Sequence, residues 1–139
     1  MDLVTFTVAI CTHNHADHLL ATLSSLKSLR HPESSWELLL VDNASTDKTP
    51  QLLLRDDWHV PGVDNRVVLE PALGVANARN RAVCEARGDY IIFLDDDETP
   101  DSNWLCSFER TIRAERPDAA GGAIRVLFEG AARPAWLTD

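Results

Sequence analysis

The chain has 139 residues, 45% of them hydrophobic and 25% charged, and a formal net charge of −9. That length supports one hydrophobic core without disulfides. The negative balance argues against a nucleic-acid-binding surface, which needs a basic footprint, but not against a nucleotide bound through a metal. Three widely spaced cysteines, Cys11, Cys84 and Cys106, form no Cys-x-x-Cys pair, so neither a zinc knuckle nor a disulfide framework is expected. Reduced thiols fit a cytoplasmic setting. No apolar run approaches the roughly 20 residues of a membrane span, and the N-terminus lacks the basic region of a signal peptide.

The elements alternate along the chain. Phe6–Cys11 reads as a first strand. Asn14 is expected to cap a helix with Asp17 in its first turn; Leu19, Leu23 and Leu26 share one face, flanked by Leu20. Trp36–Val41 is a second, buried strand. Residues 42–47 form a polar turn in which Ser45 or Thr46 caps a short helix reaching Arg55. Pro61-Gly62 breaks the loop 56–65, and Arg66–Glu70 is a third strand. Gly74–Arg87 reads as a helix with Val75, Ala78, Ala82, Val83 and Ala86 inward, ended by Gly88 as a left-handed cap. Tyr90–Leu94 is a fourth strand, Asn103–Arg116 a helix closed by Pro117, and Ala119–Leu127 a fifth strand.

Strands alternating with helices predict an α/β fold, a mostly parallel sheet with helices on both faces. A single domain over 1–139 is expected. Ligands in such sheets bind beyond the carboxyl ends of the strands. Three polar groups converge there: Thr12-His13-Asn14, Asp42-Asn43, and the acidic run Asp95-Asp96-Asp97-Glu98 that follows Tyr90-Ile-Ile-Phe-Leu94. Adjacent carboxylates repel unless positive charge sits among them. Oxygen ligands favour a hard divalent cation such as Mg²⁺ or Mn²⁺. The flat ring of His13 suits stacking on a nucleobase, Asp42 can accept hydrogen bonds from a base or ribose, and Arg79 can neutralise phosphate.

A rival pattern overlaps the first group. His13-Asn14-His15-Ala16-Asp17-His18 fits His-x-His-x-Asp-His and resembles the zinc motif of metallo-β-lactamase-like hydrolases. Such a site needs further histidines downstream, and none follows His59. A dinucleotide-binding turn is excluded, since the first strand leads into Cys-Thr-His-Asn-His-Ala without a glycine.

Four segments in order resemble family-2 glycosyltransferases, the group with the GT-A fold. Val-Ala-Ile-Cys-Thr-His-Asn, ending at Asn14, resembles the opening often written Pro-Thr-Tyr-Asn. Val41-Asp-Asn-Ala-Ser-Thr-Asp47 resembles Val-Asp-Asp-Gly-Ser-Thr-Asp. Gly74-Val-Ala-Asn-Ala-Arg-Asn80 resembles Gly-x-x-x-Ala-Arg-Asn, and Phe93-Leu-Asp-Asp-Asp-Glu98 resembles the Asp-x-Asp metal motif. Cys11 stands where proline is frequent and Ala44 where glycine is.

The resemblance implies binding of a nucleoside-diphosphate sugar, with a UDP-sugar as the family-level expectation, and inverting transfer to an unidentified acceptor. It also implies roles: Thr12 and His13 flank the base, Asp42 holds base or ribose, and Arg79 faces the diphosphate. Asp95 and Asp96 contact ribose or sugar, and Asp97 binds Mn²⁺ or Mg²⁺. His15 and His18 are then dispensable for nucleotide binding.

Family members usually continue into an acceptor-binding half that supplies an aspartate base. Residues 120–139 resemble only its beginning, so a truncated chain without the base is expected, with Glu129 and Asp139 unassigned. An uncovered acceptor face or sheet edge would favour oligomers. A non-catalytic nucleotide-sugar-binding module is the alternative from another class.

Overall fold

Two apolar runs, Phe6–Thr12 and Trp36–Asp42, lie side by side in the middle of the sheet and are buried on both faces apart from half-buried Cys11. The architecture comes from a computed structural model, which describes residues 5–128, 130 and 132–136. Its elements are β1 (Phe6–Thr12), α1 (Ala16–Leu26), β2 (Trp36–Asp42), α2 (Thr49–Leu53), β3 (Asp64–Leu69), α3 (Val75–Glu85), β4 (Tyr90–Phe93) and α4 (Trp104–Glu115). The strands are all parallel, in the order β3-β2-β1-β4. Continuous apolar strands are what a doubly covered parallel sheet demands.

Strand side chains alternate between faces, and the core divides accordingly. Phe6, Val8, Ile10, Leu38 and Leu40 pack against Leu19, Leu23 and Leu26 of α1 and against Leu105 and Ile112 of α4. Ala9, Leu39 and Val41 face Ala78 and Ala82 of α3. The predicted α/β fold with helices on both faces therefore forms. Among the described residues no helix is long and apolar enough to cross a membrane.

Several local expectations give way. His15, not Asn14, is the residue before α1, and it makes no side-chain cap; Asn14 sits in the left-handed region at φ 53°. Asp47 Oδ2 accepts the Ala16 N–H at 3.3 Å, and Asp47 Oδ1 accepts the Thr49 N–H at 2.8 Å. One carboxylate thus serves the starts of both α1 and α2, in place of Ser45 or Thr46. The third strand begins at Asp64 rather than Arg66. α3 packs through its two alanines, leaving Val75 and Val83 exposed. The small residues let the helix sit close to Ala9, so its contact stripe is narrow.

No fifth strand forms over 119–127. Ile124, Val126 and Leu127 are exposed. The segment faces β4 across a cleft of about 780 Å³ rather than pairing with it. A strand exists only through a partner's ladder of hydrogen bonds, and the alternating apolar pattern finds none among the described residues. Glu129 and Asp139 lie outside them.

A polar cluster at the amino end of the sheet ties α3 down. Glu37, buried on the α3 face of β2, accepts Arg66 Nε at 2.8 Å, Thr7 Oγ1 at 2.7 Å and the Arg87 N–H at 2.8 Å. Thr7 Oγ1 in turn accepts the Gly88 N–H at 2.9 Å. Gly88 is no left-handed cap. Its glycine is required by proximity, because a β-carbon there would lie 2.5 Å from Phe6 C and Thr7 N. On the opposite face Glu109 of α4 accepts the Ser34 N–H at 2.7 Å, the Ser34 hydroxyl, and the Glu33 N–H at 3.2 Å.

Burial pushes both carboxyls up, but the bonds each accepts outweigh it. Arg66, Thr7 and Arg87 lower Glu37, and Ser34 and Glu33 lower Glu109, from an ordinary 4.5. A folded pKa below the unfolded one gives stability that is complete above the unfolded value and is lost as pH falls through the folded value. Urea unfolding should therefore show stability declining once pH drops below 4.5. Glu37→Ala should lower the unfolding free energy by about 3 kcal/mol at neutral pH, because Arg66 loses the nearer of its two carboxylates, keeping only Glu85 at 3.7 Å, and the Arg87 N–H loses a buried acceptor. Its acid decline should be shallower than the wild type's. Gly88→Ala should cost about 2 kcal/mol by overpacking against β1, read in the same urea series.

Candidate functional site

Parallel strands deliver their following loops to one end of the sheet, and the chain's densest polar chemistry collects there. Thr12 and Asp42 are register partners at the ends of β1 and β2. The ladder continues one step further, with the Asn43 N–H donating to Thr12 O at 2.8 Å. Beyond β4, Leu94 N–H still bonds Ala9 O at 3.1 Å, and the acidic run begins at the next residue.

Two left-handed residues shape the loops. Asn14 and Ala44 have φ of 53° and 54°. Asn14 Oδ1 accepts the N–H groups of Thr46 at 2.7 Å and Asp47 at 3.1 Å, while the Asn14 N–H donates to Ser45 Oγ at 3.0 Å. The loops after β1 and β2 are thereby one unit. Asn43, which unlike Asn14 is buried, staples a third. Its Nδ2 donates to Glu70 O at 3.0 Å and Ala72 O at 2.8 Å, and its Oδ1 accepts the Gly74 N–H at 2.8 Å. Gly74 opens α3, so Asn43 sets the start of the helix that carries Arg79. Asn14, Asn43 and Asp47 are visible in the sequence only as loop polar residues; their partners lie some thirty residues away, beyond any local signal.

The four carboxylates have four different environments. Asp95 has a side chain 60% exposed and pairs with Arg79 Nη2 at 3.2 Å; the guanidinium also lies over the Phe93 ring, 5.4 Å from its centre. Asp96 is only 15% exposed, with Oδ2 accepting Thr12 Oγ1 at 2.6 Å and Oδ1 accepting His15 Nδ1 at 3.0 Å. Glu98 Oε2 accepts the Asp95 N–H at 3.1 Å, and the Glu98 N–H donates to Asp95 O at 3.2 Å, closing the turn. Asp97 is exposed, and no hydrogen bond or ion pair engages it among the described residues. Arg79 thus meets Asp95, and Thr12 meets the neighbouring Asp96. Both Asp96 oxygens are engaged within the protein, by Thr12 and His15, where the sequence expectation gave the residue to the donor.

Asp42 is buried, and its Oδ1 accepts the Ser45 N–H at 3.1 Å. His13 Nδ1 lies 2.7 Å from Asn43 O. A carbonyl only accepts, so Nδ1 carries a proton there, and Nε2 lies 3.2 Å from Asn14 Nδ2. The bond to Asp96 raises the His15 pKa above 6.5, against a smaller opposing effect of burial. Burial pushes the Cys11 thiol up to about 11, so it is no nucleophile at neutral pH.

The histidine motif does not close into a zinc site. His13 turns to Asn43, His15 to Asp96, and the His18 ring stacks on His15 with centroids 4.2 Å apart. Among the described residues no three His, Cys, Asp or Glu side chains are arranged to hold a metal. The acidic turn is therefore no closed cage either. Its exposed oxygens on Asp95 and Asp97 still fit a hard cation that completes its shell with water and phosphate.

The sequence pattern of the family "Glycosyl transferase family 2" matches residues 7–138. Glycosyltransferase AglE of Haloferax volcanii is 29% identical over 123 residues, covering 87% of this chain and 40% of AglE. Among solved structures, the Pyrobaculum calidifontis mannosyltransferase PcManGT in complex with GDP-Man and Mn²⁺ superposes with a TM-score of 0.70 at 27% identity, covering 80% of this chain and 33% of that one. Staphylococcus aureus TarS in complex with UDP-GlcNAc gives a TM-score of 0.69 at 22% identity, covering 88% of this chain and 37% of that one. These neighbours have the GT-A fold. The chain spans about 40% or less of the length of each of these proteins.

Ala44 holds a left-handed backbone with a β-carbon, where glycine would have no strain. Ala44→Gly should therefore raise the unfolding free energy by about 1 kcal/mol, net of the added unfolded-state entropy. Thermal denaturation followed by circular dichroism reads the difference.

Proposed function

The chain belongs to glycosyl transferase family 2, and on that premise we propose that it binds the nucleoside-diphosphate sugar donor of an inverting glycosyl transfer, together with Mn²⁺ or Mg²⁺. Support comes from Thr12 and Asp42 at adjoining strand ends and from the Arg79–Asp95 pair and exposed Asp97 in the turn beyond β4, at the same end of the sheet. The ligands of PcManGT and TarS are of the same class.

In this reading Thr12 and the His13 ring flank the nucleobase, and Asp42 accepts from base or ribose. Asp95 faces the ribose or sugar. Arg79, already balancing Asp95 across the crevice, turns part of its guanidinium to the diphosphate. Asp97 holds the cation, since it is the carboxylate of the run left without a partner among the described residues. When bound, the cation supplies Lewis-acid stabilisation of the departing diphosphate. Transfer is proposed for the whole protein: an acceptor hydroxyl forms the new bond to the anomeric carbon, the bond to diphosphate breaks with inversion, and the hydroxyl proton passes to a base. A UDP-sugar is the first donor to test, with a GDP-sugar beside it.

Calorimetric titration of UDP and GDP, with and without Mn²⁺, tests the site. The wild type should bind one of them in a metal-dependent way. Asp97→Ala should weaken that binding by about a hundredfold, the upper end of losses at metal-site residues. Unchanged affinity and metal dependence in Asp97→Ala would remove Asp97 from the site.

A further inference from the structure

We infer that His15 is a positioning residue for this site: through its hydrogen bond to Asp96 it holds the turn that presents Asp95 and Asp97. The inference rests on the donor-site reading above and adds to it a residue to which that reading gives no contact with metal or nucleotide.

Residue 96 is gripped at three points by one stretch of chain. Thr12 at the end of β1 donates to Asp96 Oδ2 at 2.6 Å, and His15 before α1 donates to Oδ1 at 3.0 Å. Thr22, on the buried face of α1, donates its hydroxyl to the Asp96 carbonyl at 3.0 Å. His15 is itself held firmly. Its backbone precedes a helix anchored by Leu19, Leu23 and Leu26, which are fully buried. One turn on, the His18 ring lies beside it, with centroids 4.2 Å apart and a 34° tilt.

The geometry has an electrostatic purpose. Asp96 sits between two carboxylates that must face the crevice. Held inward by two donors, its charge is kept away from theirs. With Thr12 as its sole donor, the carboxylate is free to rotate outward. It then competes with Asp95 for Arg79 and repels Asp97. The imidazole thus acts on the site without touching donor or metal. This differs from both expectations drawn from the sequence, a zinc ligand or a dispensable surface histidine.

The experiment uses the full chain with UDP, GDP and Mn²⁺ in calorimetric titration. His15→Leu, which keeps bulk and loses the donor, should weaken metal-dependent nucleotide binding about ten- to hundredfold. His15→Asn, whose Nδ2 stands where Nδ1 did, should restore it to within about threefold of wild type. His18→Ala should bind like wild type. In the metal-free protein, backbone amides of residues 95–98 should exchange hydrogen faster in His15→Leu than in His15→Asn, with similar melting temperatures.

Wild-type affinity in His15→Leu, while Asp97→Ala still weakens binding about a hundredfold, would overturn the positioning role and leave the donor site standing. Equal loss in His15→Leu and His15→Asn would also overturn it, in favour of direct ligation by the imidazole. A wild-type chain that binds neither nucleotide, or binds one regardless of Asp97, would overturn the donor-site reading and this inference with it.

Discussion

Four consecutive carboxylates just beyond the end of a strand repel one another. Two such charges about 5 Å apart cost about 3 kcal/mol at an effective dielectric constant near 20. The carboxyl end of the sheet is organised around that constraint. Arg79 comes from α3 to meet Asp95, Thr12 and His15 come from the β1–α1 junction to meet Asp96, and Glu98 is absorbed by the backbone of its own turn. Three charges are compensated within the protein, leaving Asp97 exposed. The carboxylate with no partner among the described residues is the one that the resemblance gives to the metal.

The two ends of the sheet divide the work. At the amino end, Glu37, Thr7 and Arg66 catch the chain as it leaves α3, and Gly88 passes close over β1. At the carboxyl end, Asn43 fixes where α3 begins. A helix pinned at both ends and packed by Ala78 and Ala82 has little freedom to slide. Arg79 therefore stays level with the acidic turn. A buried ionic cluster is weak evidence for stability in general. Here its location explains how a helix on one face delivers a cation to a site beyond the strands.

Much of this was legible beforehand. The apolar runs at Phe6 and Trp36 have the composition of doubly buried strands, and the alternation of elements leaves few topologies open. The Asp95–Glu98 run announced a charge problem, and strand-end convergence located it. The misreadings share a cause. Asn14, Ser45 and Thr46 have the chemistry of helix caps, yet the cap partner for α1 is Asp47, thirty-one residues from the N–H it accepts. Gly88 looked like a helix terminator, but close approach to another strand explains it. Val75 and Val83 followed helical spacing, while the packing surface was only as wide as two alanines. The segment 119–127 has a strand's pattern without a strand's partner.

The sequence by itself determined the parallel α/β class, the identity of its buried strands, and the gathering of Thr12, His13, Asp42 and the acidic run at one sheet end. Those follow from composition and periodicity, which are local. Only the tertiary structure decided what each carboxylate does. Asp96 is adjacent to Asp95 and Asp97 in the chain and chemically identical to them. Its role comes from Thr12 and His15, more than eighty residues earlier, and a hydrogen bond over that separation exists only once the sheet has brought β1 beside β4.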